Sequence, residues 1–584
     1  MRATGPWPVL AAALLLIVGG DVLAWWIQTS GGDVDIRDVR WTGTDGTTMS
    51  GLLYVPDGAT EEAPAPAVLA VHGYINSRET QDGFAIELSR RGYVVLAMDQ
   101  TGHGYSDPPA FAHGFGGPDG LAYLRSLPFV DGDNVGLEGH SMGGWAVQLA
   151  AAAFPDGYRS IVLQGSSTGT SGAPAATAGT PRNLSVVFSE YDEFAALMWG
   201  VPRASDVPAS PKLMEAFGTT RPVEPGRIYG SVEAGTARVL HQPPVIHPGD
   251  HFSNRAIGHA VEWFGITLEG GGSLPADRQV WIWKEVGNLL ALVGMVLLLF
   301  PLGRLLLDLP LFAGLKGCPT VPGTGASGWG WWAAAAGFVV FPPLTLFPFK
   351  DVGGALTPNA VLPQGITNQI VVWALLVAAL SAAGFAVWHV RVARWAGATL
   401  DDHGLTWEGR VRWRRVAMSA LLAGAVALGA YATVVFSGAV FTTDHRFWVF
   451  AVKPMSSVQA RAALGYVVPF TVFFVVYGTV LSGQLRRGTG LAGEAATAVV
   501  LSTVGFLGLI AVQYTPLFLG GTLAIASEPL WSIIAFQFVP IMTLAAPVAV
   551  YFRRVTGRIW VGAFLNGLLV TWIVVASQAT HVAP

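Results

Sequence analysis

The stretch Gly136–Val147 reads "GLEGHSMGGWAV" and predicts a change of secondary structure within a few residues. The apolar run "NVGLE" favours a buried strand, and the run "GGWAVQLAAAAF" that follows favours a helix. Between them lies the turn Gly139-His140-Ser141-Met142-Gly143. Because a sharp strand-to-helix turn with this glycine spacing exposes the central side chain, Ser141 is the first candidate for a reactive residue.

The composition shows that much of the chain does not face water. Of its 584 residues, 52% are hydrophobic and only 12% are charged, whereas soluble domains carry about 25% charged residues. The net charge of −4 is small for this length, so we expect no nucleic-acid partner. The single cysteine, Cys318, excludes an intramolecular disulfide.

Long apolar runs divide the chain, because a helix needs about 20 apolar residues to cross a bilayer. The first run is Trp7–Ile27, and no other appears before residue 289. The later runs are Leu289–Leu307, Trp329–Phe349, Val371–Val390, Val416–Phe441, Leu464–Leu481, Ala495–Phe518, Trp531–Tyr551 and Trp560–Ala576. We therefore predict an N-terminal segment over residues 1–30, a globular domain over 31–272, and a helical membrane domain over 273–584 with about eight transmembrane helices.

The N-terminal run has two interpretations. Arg2 and the small-residue stretch "VLA" at residues 22–24 fit a cleaved signal peptide. The length of the run and the aromatic pair Trp25 and Trp26 fit a transmembrane anchor, which we favour. Either interpretation exports the globular domain.

Arginine clusters predict the orientation in the membrane. The densest group is Arg391, Arg394, Arg410, Arg412, Arg414 and Arg415, and it lies on the predicted inner side. The predicted outer loops carry fewer basic residues, which agrees with the positive-inside rule. We expect a multi-pass protein of the cell membrane with its globular domain on the extracytoplasmic side, in contact with the lipid bilayer.

The globular region alternates short apolar runs with helical patterns. "DVDIRDVRWTG" and "TTMSGLLYVP" predict an initial hairpin. The runs in "APAVLAVHGY", "GYVVLAMDQ", "NVGLEGHS", "RSIVLQGSS" and "LSVVFSEYD" are continuously apolar, which is typical of parallel strands buried on both faces. The fold class is therefore α/β with a mostly parallel sheet, and ligands should bind at the carboxyl ends of its strands.

A serine hydroxyl needs a base to become a nucleophile. The stretch "PPVIHPGDHFSN" offers His247 and His251. His251 precedes a helical pattern on a loop that can reach Ser141, so it is the predicted base, and His247 is assigned a structural role. A metal site formed by His247, Asp250 and His251 is the weaker alternative, and we expect neither metal nor cofactor.

The base needs an orienting acid, and the oxyanion needs two donors. Asp192 follows the strand in "LSVVFSEYDEF" and has the expected chain order of serine, acid and histidine; Glu190 and Glu193 are alternates. One oxyanion donor is the backbone N–H of Met142. The other is predicted at Tyr74, through its backbone N–H or its hydroxyl.

These motifs resemble a known family. "VHGY", "GHSMGG", "DQTGHGYSD", "SEYDE" and "PGDHF" look like the dienelactone-hydrolase-like and prolyl-oligopeptidase-like members of the α/β-hydrolase superfamily. The resemblance covers about residues 33–270 and implies an α/β-hydrolase domain with Ser141, Asp192 and His251 as its triad. Ser189 stands where a glycine is frequent, and the long segment before His251 is expected to form a small cap. The membrane half resembles no family that we recognise.

Three classes of function compete. The preferred one is a membrane-anchored serine hydrolase that cleaves an ester, thioester or amide through an acyl-enzyme. The alternatives are an acyltransferase with the same triad, and a transporter or receptor whose hydrolase-like domain binds ligand. The substrate is expected to be a small molecule or lipid-like. Because one anchor would suffice for tethering, the helical domain is expected to present an amphiphilic substrate to Ser141; the alternative is that the helices have an unrelated role and are merely fused to the hydrolase. The sequence predicts neither the oligomeric state nor the bond that is cleaved.

Overall fold

The computed structural model describes residues 5–317 and 325–584, so Cys318 and Arg2 lie outside the described residues. Helix α1, Pro6–Gln28, comes first and is joined to the first strand by a short 3-10 helix, Ser30–Gly32. Residues 34–267 then form an α/β unit, and residues 281–577 form a bundle of helices.

One eight-stranded sheet organises the α/β unit within the described residues. Its strands are β1 Val34–Thr42, β2 Thr48–Pro56, β3 Ala65–Val71, β4 Val94–Asp99, β5 Val130–His140, β6 Ser160–Gln164, β7 Leu184–Val187 and β8 Arg238–His241. Their order is β1-β2-β4-β3-β5-β6-β7-β8. The predicted hairpin is β1–β2; β2 pairs antiparallel with β4, and all later pairs are parallel. The predicted mostly parallel α/β fold is confirmed.

Helices cover both faces of this sheet. They are α2 Asp82–Ser89, α3 Gly117–Arg125, α4 Met142–Ala153, α5 Ala195–Trp199, α6 Pro211–Ala216 and α7 Asn254–Thr267. Phe84 of α2 and Phe264 of α7 pack on one face, and Leu121 of α3 and Val147 of α4 pack on the other. Every residue of β3, β4 and β6 is buried, as the continuous apolar runs predicted. Helices α5 and α6 lie in the segment that was expected to form a cap.

The helical bundle contains the predicted apolar runs. Its helices are α8 Trp281–Leu307, α9 Gly328–Leu344, α10 Leu346–Gly354, α11 Gly365–Trp388, α12 Trp413–Phe441, α13 Ser457–Ser482, α14 Gly490–Phe518, α15 Pro529–Thr556 and α16 Trp560–Ser577. Eight of the described helices, counting α1, are long and apolar enough to cross a membrane, which is compatible with a multi-pass membrane protein. The predicted run Trp329–Phe349 differs, since it is divided into α9 and α10 with a bend of 47°. Pro342 and Pro343 end α9 because proline removes backbone hydrogen bonds.

Small residues bring α1 against α8. An added Cβ on Gly20 of α1 would collide with the carbonyl oxygen of Gly287 in α8. One on Gly294 would lie 2.7 Å from the carbonyl oxygen of Ala13. Close approach through small residues is a common mode of helix packing in membranes. The N-terminal helix is thus part of the helical bundle.

Buried polar contacts join the bundle to the α/β unit. Lys284 of α8 forms an ion pair with Asp82 of α2. The loop between α12 and α13 contributes Lys453, whose Nζ lies 3.0 Å from the Glu79 carboxylate, and Trp448, whose indole N–H donates to the carbonyl of Pro248 at 2.8 Å. These contacts place the bundle directly over the carboxyl ends of the parallel strands.

Candidate active site

Ser141 occupies a strained turn between β5 and α4. Its backbone angles are φ +54° and ψ −119°, which a non-glycine residue adopts only when its surroundings enforce them. A Cβ on Gly143 would collide with the carbonyl oxygen of Val71, and a Cβ on Gly139 would collide with the carbonyl of Gly143. The two glycines therefore allow the close approach of chain segments that exposes Ser141 above the sheet, as the sequence predicted.

Ser141 lines a cavity of about 570 Å³ at the junction of the two parts of the chain. His247 and Tyr74 line the same cavity from the α/β unit. The opposite wall comes from the helical bundle and consists of Val449, Leu530, Ile533 and Gln537. The space next to Ser141 is therefore completed by residues more than 300 positions away in sequence.

The histidine that lines the cavity of Ser141 is paired with an acid. The Nδ1 of His247 is 2.7 Å from the Oδ2 of Asp192, and both side chains are buried. A parallel bridge between Tyr191 and Ile246 sets this geometry. Asp192 directly follows Tyr191, and His247 directly follows Ile246. The bridge therefore places the side chains of Asp192 and His247 next to each other.

The predicted base, His251, lies elsewhere. It falls at the end of the 3-10 helix His247–Phe252, where its ring packs 4.0 Å from the ring of His140 and 6.3 Å from that of Phe84. It neither pairs with Asp192 nor lines the cavity of Ser141. The structure therefore places His247, to which the sequence analysis had assigned a structural role, in the position that was expected for His251: beside Asp192 and in the cavity of Ser141. The bridge between Tyr191 and Ile246 explains why His247 and not His251 meets Asp192. The extended segment ends at Ile246, so His247 is the first residue after it, and His251 lies further along the 3-10 helix.

Charges around His247 favour its protonated form. Burial by itself would lower the pKa of His247, but the carboxylates of Asp192, Glu193 and Asp250 outweigh burial and raise it. Burial lowers the pKa of His251 to about 3, with Arg446 acting in the same direction. Of the two histidines, His247 is therefore the one whose imidazolium form is stabilised by its surroundings.

Glu193, an alternate for the acid, instead holds the loop of the histidine. One of its carboxylate oxygens accepts the backbone N–H of His247 at 2.8 Å, and the other accepts the hydroxyl of Tyr514 from α14 at 2.7 Å. Burial and the neighbouring Asp192 raise the pKa of Glu193 to about 7. The other alternate, Glu190, is exposed. Helix α14 is thereby linked to the histidine through a single buried carboxylate.

Two backbone donors are available for an oxyanion. Met142 is the first residue of α4, so its N–H has no partner within that helix. Tyr74 lines the cavity and precedes Ile75, which has a positive φ of 56°. The Tyr74 hydroxyl is 3.5 Å from the Nε2 of His581, and burial raises its pKa to about 12. Of the two roles considered for Tyr74, this arrangement favours the backbone N–H.

The side chains of the alternative metal site, His247, Asp250 and His251, have other partners and do not converge on one point. The Asp250 carboxyl accepts the hydroxyl of Ser189, and burial raises its pKa well above the usual range. His247 points to Asp192, and His251 packs on His140. In residues 5–317 and 325–584, no group of three or more histidine, cysteine, aspartate or glutamate side chains is arranged to hold a metal ion.

Comparisons with known proteins agree with this architecture. Residues 66–191 match the model of the α/β-hydrolase fold family. A 2-(acetamidomethylene)succinate hydrolase from Mesorhizobium japonicum is 34% identical over 104 residues, which are 18% of this chain and 36% of that protein. The chain thus spans only about a third of the length of this relative.

Solved structures of two hydrolases are also similar. A dienelactone hydrolase from Anabaena variabilis is 19% identical, with a TM-score of 0.29, 41% of this chain and 100% of that chain covered. An esterase from Pyrobaculum calidifontis is 16% identical, with a TM-score of 0.30, 44% of this chain and 94% of that chain covered. The family match and the sheet topology together establish the α/β-hydrolase fold for the first part of the chain.

Proposed function

We propose that the protein is a membrane-anchored serine hydrolase that cleaves an ester, thioester or amide. Ser141 acts as the nucleophile, His247 as the base and Asp192 as the orienting acid. The observation that carries the proposal is that His247, whose ring is hydrogen-bonded to Asp192, lines one cavity together with Ser141 at its strained turn. The family match and the hydrolase relative support the class of reaction.

The mechanism follows from the roles of the three side chains. His247 takes the proton of Ser141 as the hydroxyl oxygen attacks the substrate carbonyl, while Asp192 holds the other ring nitrogen and stabilises the imidazolium. The backbone N–H groups of Met142 and Tyr74 stabilise the oxyanion of the tetrahedral intermediate. His247 then protonates the leaving group, and water releases the acyl group from Ser141 by the reverse sequence of proton transfers.

The lining of the cavity supports an apolar acyl group as substrate. Phe111, Trp145 and Leu197 from the α/β unit face Leu530 and Ile533 from α15. A hydrocarbon chain gains about 0.8 kcal/mol for each methylene that it buries. We therefore extend the proposal to lipid-like substrates.

We propose further that the α/β unit lies outside the cytoplasmic membrane. Helices α8, α11 and α13 start at the end of the bundle that faces this unit, and their opposite ends lead to Arg304, Arg391 and Arg486. The positive-inside rule assigns such an arginine-rich end to the cytoplasm.

Activity-based labelling of the full-length protein tests the proposed triad. A short-chain fluorophosphonate should modify wild type, and Ser141→Ala should lose both labelling and ester turnover. Ser171→Ala, which removes another hydroxyl from the same cavity, is the matched control and should remain active. Labelling that persists in Ser141→Ala would overturn the proposal.

The two histidines provide a second, internal comparison. His247→Ala should lower kcat/KM by a factor of about 10⁶, because the nucleophile and its base act as one unit. His251→Ala should retain turnover within about tenfold, since it is separated from the acid–base pair and truncation of a buried ring acts mainly on stability. The reverse ranking of the two variants would refute His247 as the base.

A further inference from the structure

The helical bundle contains two cavities that lie in line with the cavity of Ser141. A narrow one of about 30 Å³ is lined by Gln537, which also lines the cavity of Ser141. A larger one of about 360 Å³ shares Trp373, Phe473 and Met542 with the narrow one. The three cavities therefore follow one another, and each shares lining residues with the next.

Helix α15 runs along all three cavities and gives their length. Leu530 and Ile533 line the cavity of Ser141, Ile541 lines the narrow one, and Met542 reaches the larger one. The distance from Leu530 to Met542 is about 18 Å at a rise of 1.5 Å per residue. An extended hydrocarbon chain advances about 1.25 Å per carbon for bonds of 1.5 Å near the tetrahedral angle. A chain of roughly 14 carbons would span this distance.

The larger cavity opens at the outer surface of the bundle. Gly337 of α9 and both Leu380 and Gly384 of α11 line it and are exposed. Tyr477 and Ser502 also line it, but their hydroxyls are 2.7 Å apart and satisfy each other. No charged side chain of the described chain lines either bundle cavity. This surface suits a hydrocarbon chain and excludes a charged solute.

We infer that the three cavities form the binding site for a long acyl chain, whose carbonyl carbon lies at Ser141 and whose tail extends along α15 into the bundle. The inference rests on the proposed hydrolase function and adds the substrate class, namely esters, thioesters or amides of long-chain fatty acids. The narrow cavity around Ala374 and Ile541 is the point at which the bundle selects for an unbranched chain. The helical domain is therefore part of the substrate site.

A cross-linking experiment on the wild-type, full-length protein tests the route of the chain. The probe is a fluorophosphonate with a 16-carbon tail that carries a diazirine on its last carbon. After Ser141 is labelled, illumination should cross-link the tail to peptides of α11, α13 or α15, including those with Trp373, Phe473 and Met542. Cross-links confined to the α/β unit, for example at Phe111 or Leu197, would overturn the inference and leave the hydrolase intact.

A pair of alanine variants tests the narrow cavity. Ala374 is buried and lines it, whereas Ala379 lies on the same helix, is exposed and lines none of the three cavities. Each buried methylene strengthens binding about fourfold, so excluding four methylenes lowers affinity about 200-fold. Ala374→Phe should lower kcat/KM for a 16-carbon ester by about this factor and leave a 4-carbon ester within about twofold. Ala379→Phe should leave both unchanged.

The outcomes separate this inference from the proposed function. Equal turnover of the 16-carbon ester by Ala374→Phe and Ala379→Phe would refute the proposed acyl-chain site. Turnover of the 4-carbon ester would still show whether the protein is a hydrolase. Should Ala374→Phe fail to fold, the cross-links of the wild-type protein decide the question. Absence of Ser141 labelling by both short and long probes would refute the hydrolase, and the chain site with it.

Discussion

Replacing Tyr514 by phenylalanine tests whether the helical bundle positions His247, the proposed catalytic base. The Tyr514 hydroxyl donates to Glu193 at 2.7 Å, and the same carboxylate accepts the backbone N–H of His247 at 2.8 Å. Tyr514→Phe removes one atom from a buried ring and keeps the packing of α14. Its effect should therefore pass through Glu193 to the histidine loop.

The magnitude follows from the contact that is lost. A hydrogen bond to a charged group contributes about 1.5–3 kcal/mol, and a tenfold change in rate corresponds to about 1.4 kcal/mol. We expect kcat to fall about tenfold with KM unchanged, because the variant loosens the base without altering the cavity wall. The hydrogen bond from Tyr514 lowers the pKa of Glu193, so its loss raises that pKa and leaves Glu193 less ionised. With less negative charge nearby, the pKa of His247 should fall.

The assay measures turnover of a short-chain nitrophenyl ester by the full-length protein in detergent between pH 5 and 9. Thr515→Ala is the control, since Thr515 is the exposed neighbour whose hydroxyl bonds only to its own helix at the carbonyl of Ala511. The rise of kcat/KM with pH should occur at lower pH in Tyr514→Phe than in the control. An unchanged rate and pH profile, or an equal loss in Thr515→Ala, would refute the proposed coupling.

Two more predictions concern acid–base behaviour and topology. The base works in its neutral form, so kcat/KM of wild type should rise with a midpoint above 6.5, the ordinary pKa of histidine, because that of His247 is raised. Glu193→Gln removes one of the charges that raise the pKa of His247, so the midpoint should fall. A midpoint that is unchanged or higher in Glu193→Gln would contradict the assignment of His247 as the titrating base. Ser171→Cys, at an exposed loop position, should react with an impermeant maleimide in intact cells after any outer membrane is permeabilised. The experiment uses a Cys318→Ser background, which removes the native thiol. If the introduced cysteine is protected in intact cells and reacts only after lysis, the proposed orientation is wrong.

The sequence alone determined the turn at Ser141 and the architecture around it. Gly139 is required by its close approach to Gly143 within the turn, and Gly143 by the carbonyl of Val71 on the neighbouring strand, but the spacing of the two glycines around Ser141 is visible in one short segment. The continuous apolar runs became buried parallel strands because burial on both faces needs apolar residues at every position. The apolar helices were equally predictable, since their length follows from the thickness of a bilayer.

The tertiary structure decided which histidine pairs with Asp192. His247 and His251 differ by one helical turn, and only the bridge between Tyr191 and Ile246 determines which of them meets Asp192. That pairing joins residues 55 positions apart in sequence, and no local pattern encodes its register. The sequence also does not show that Ile533 of α15 forms part of the wall of the Ser141 cavity. Sequence periodicity shows which helices are apolar, but not which of them packs over the ends of the strands.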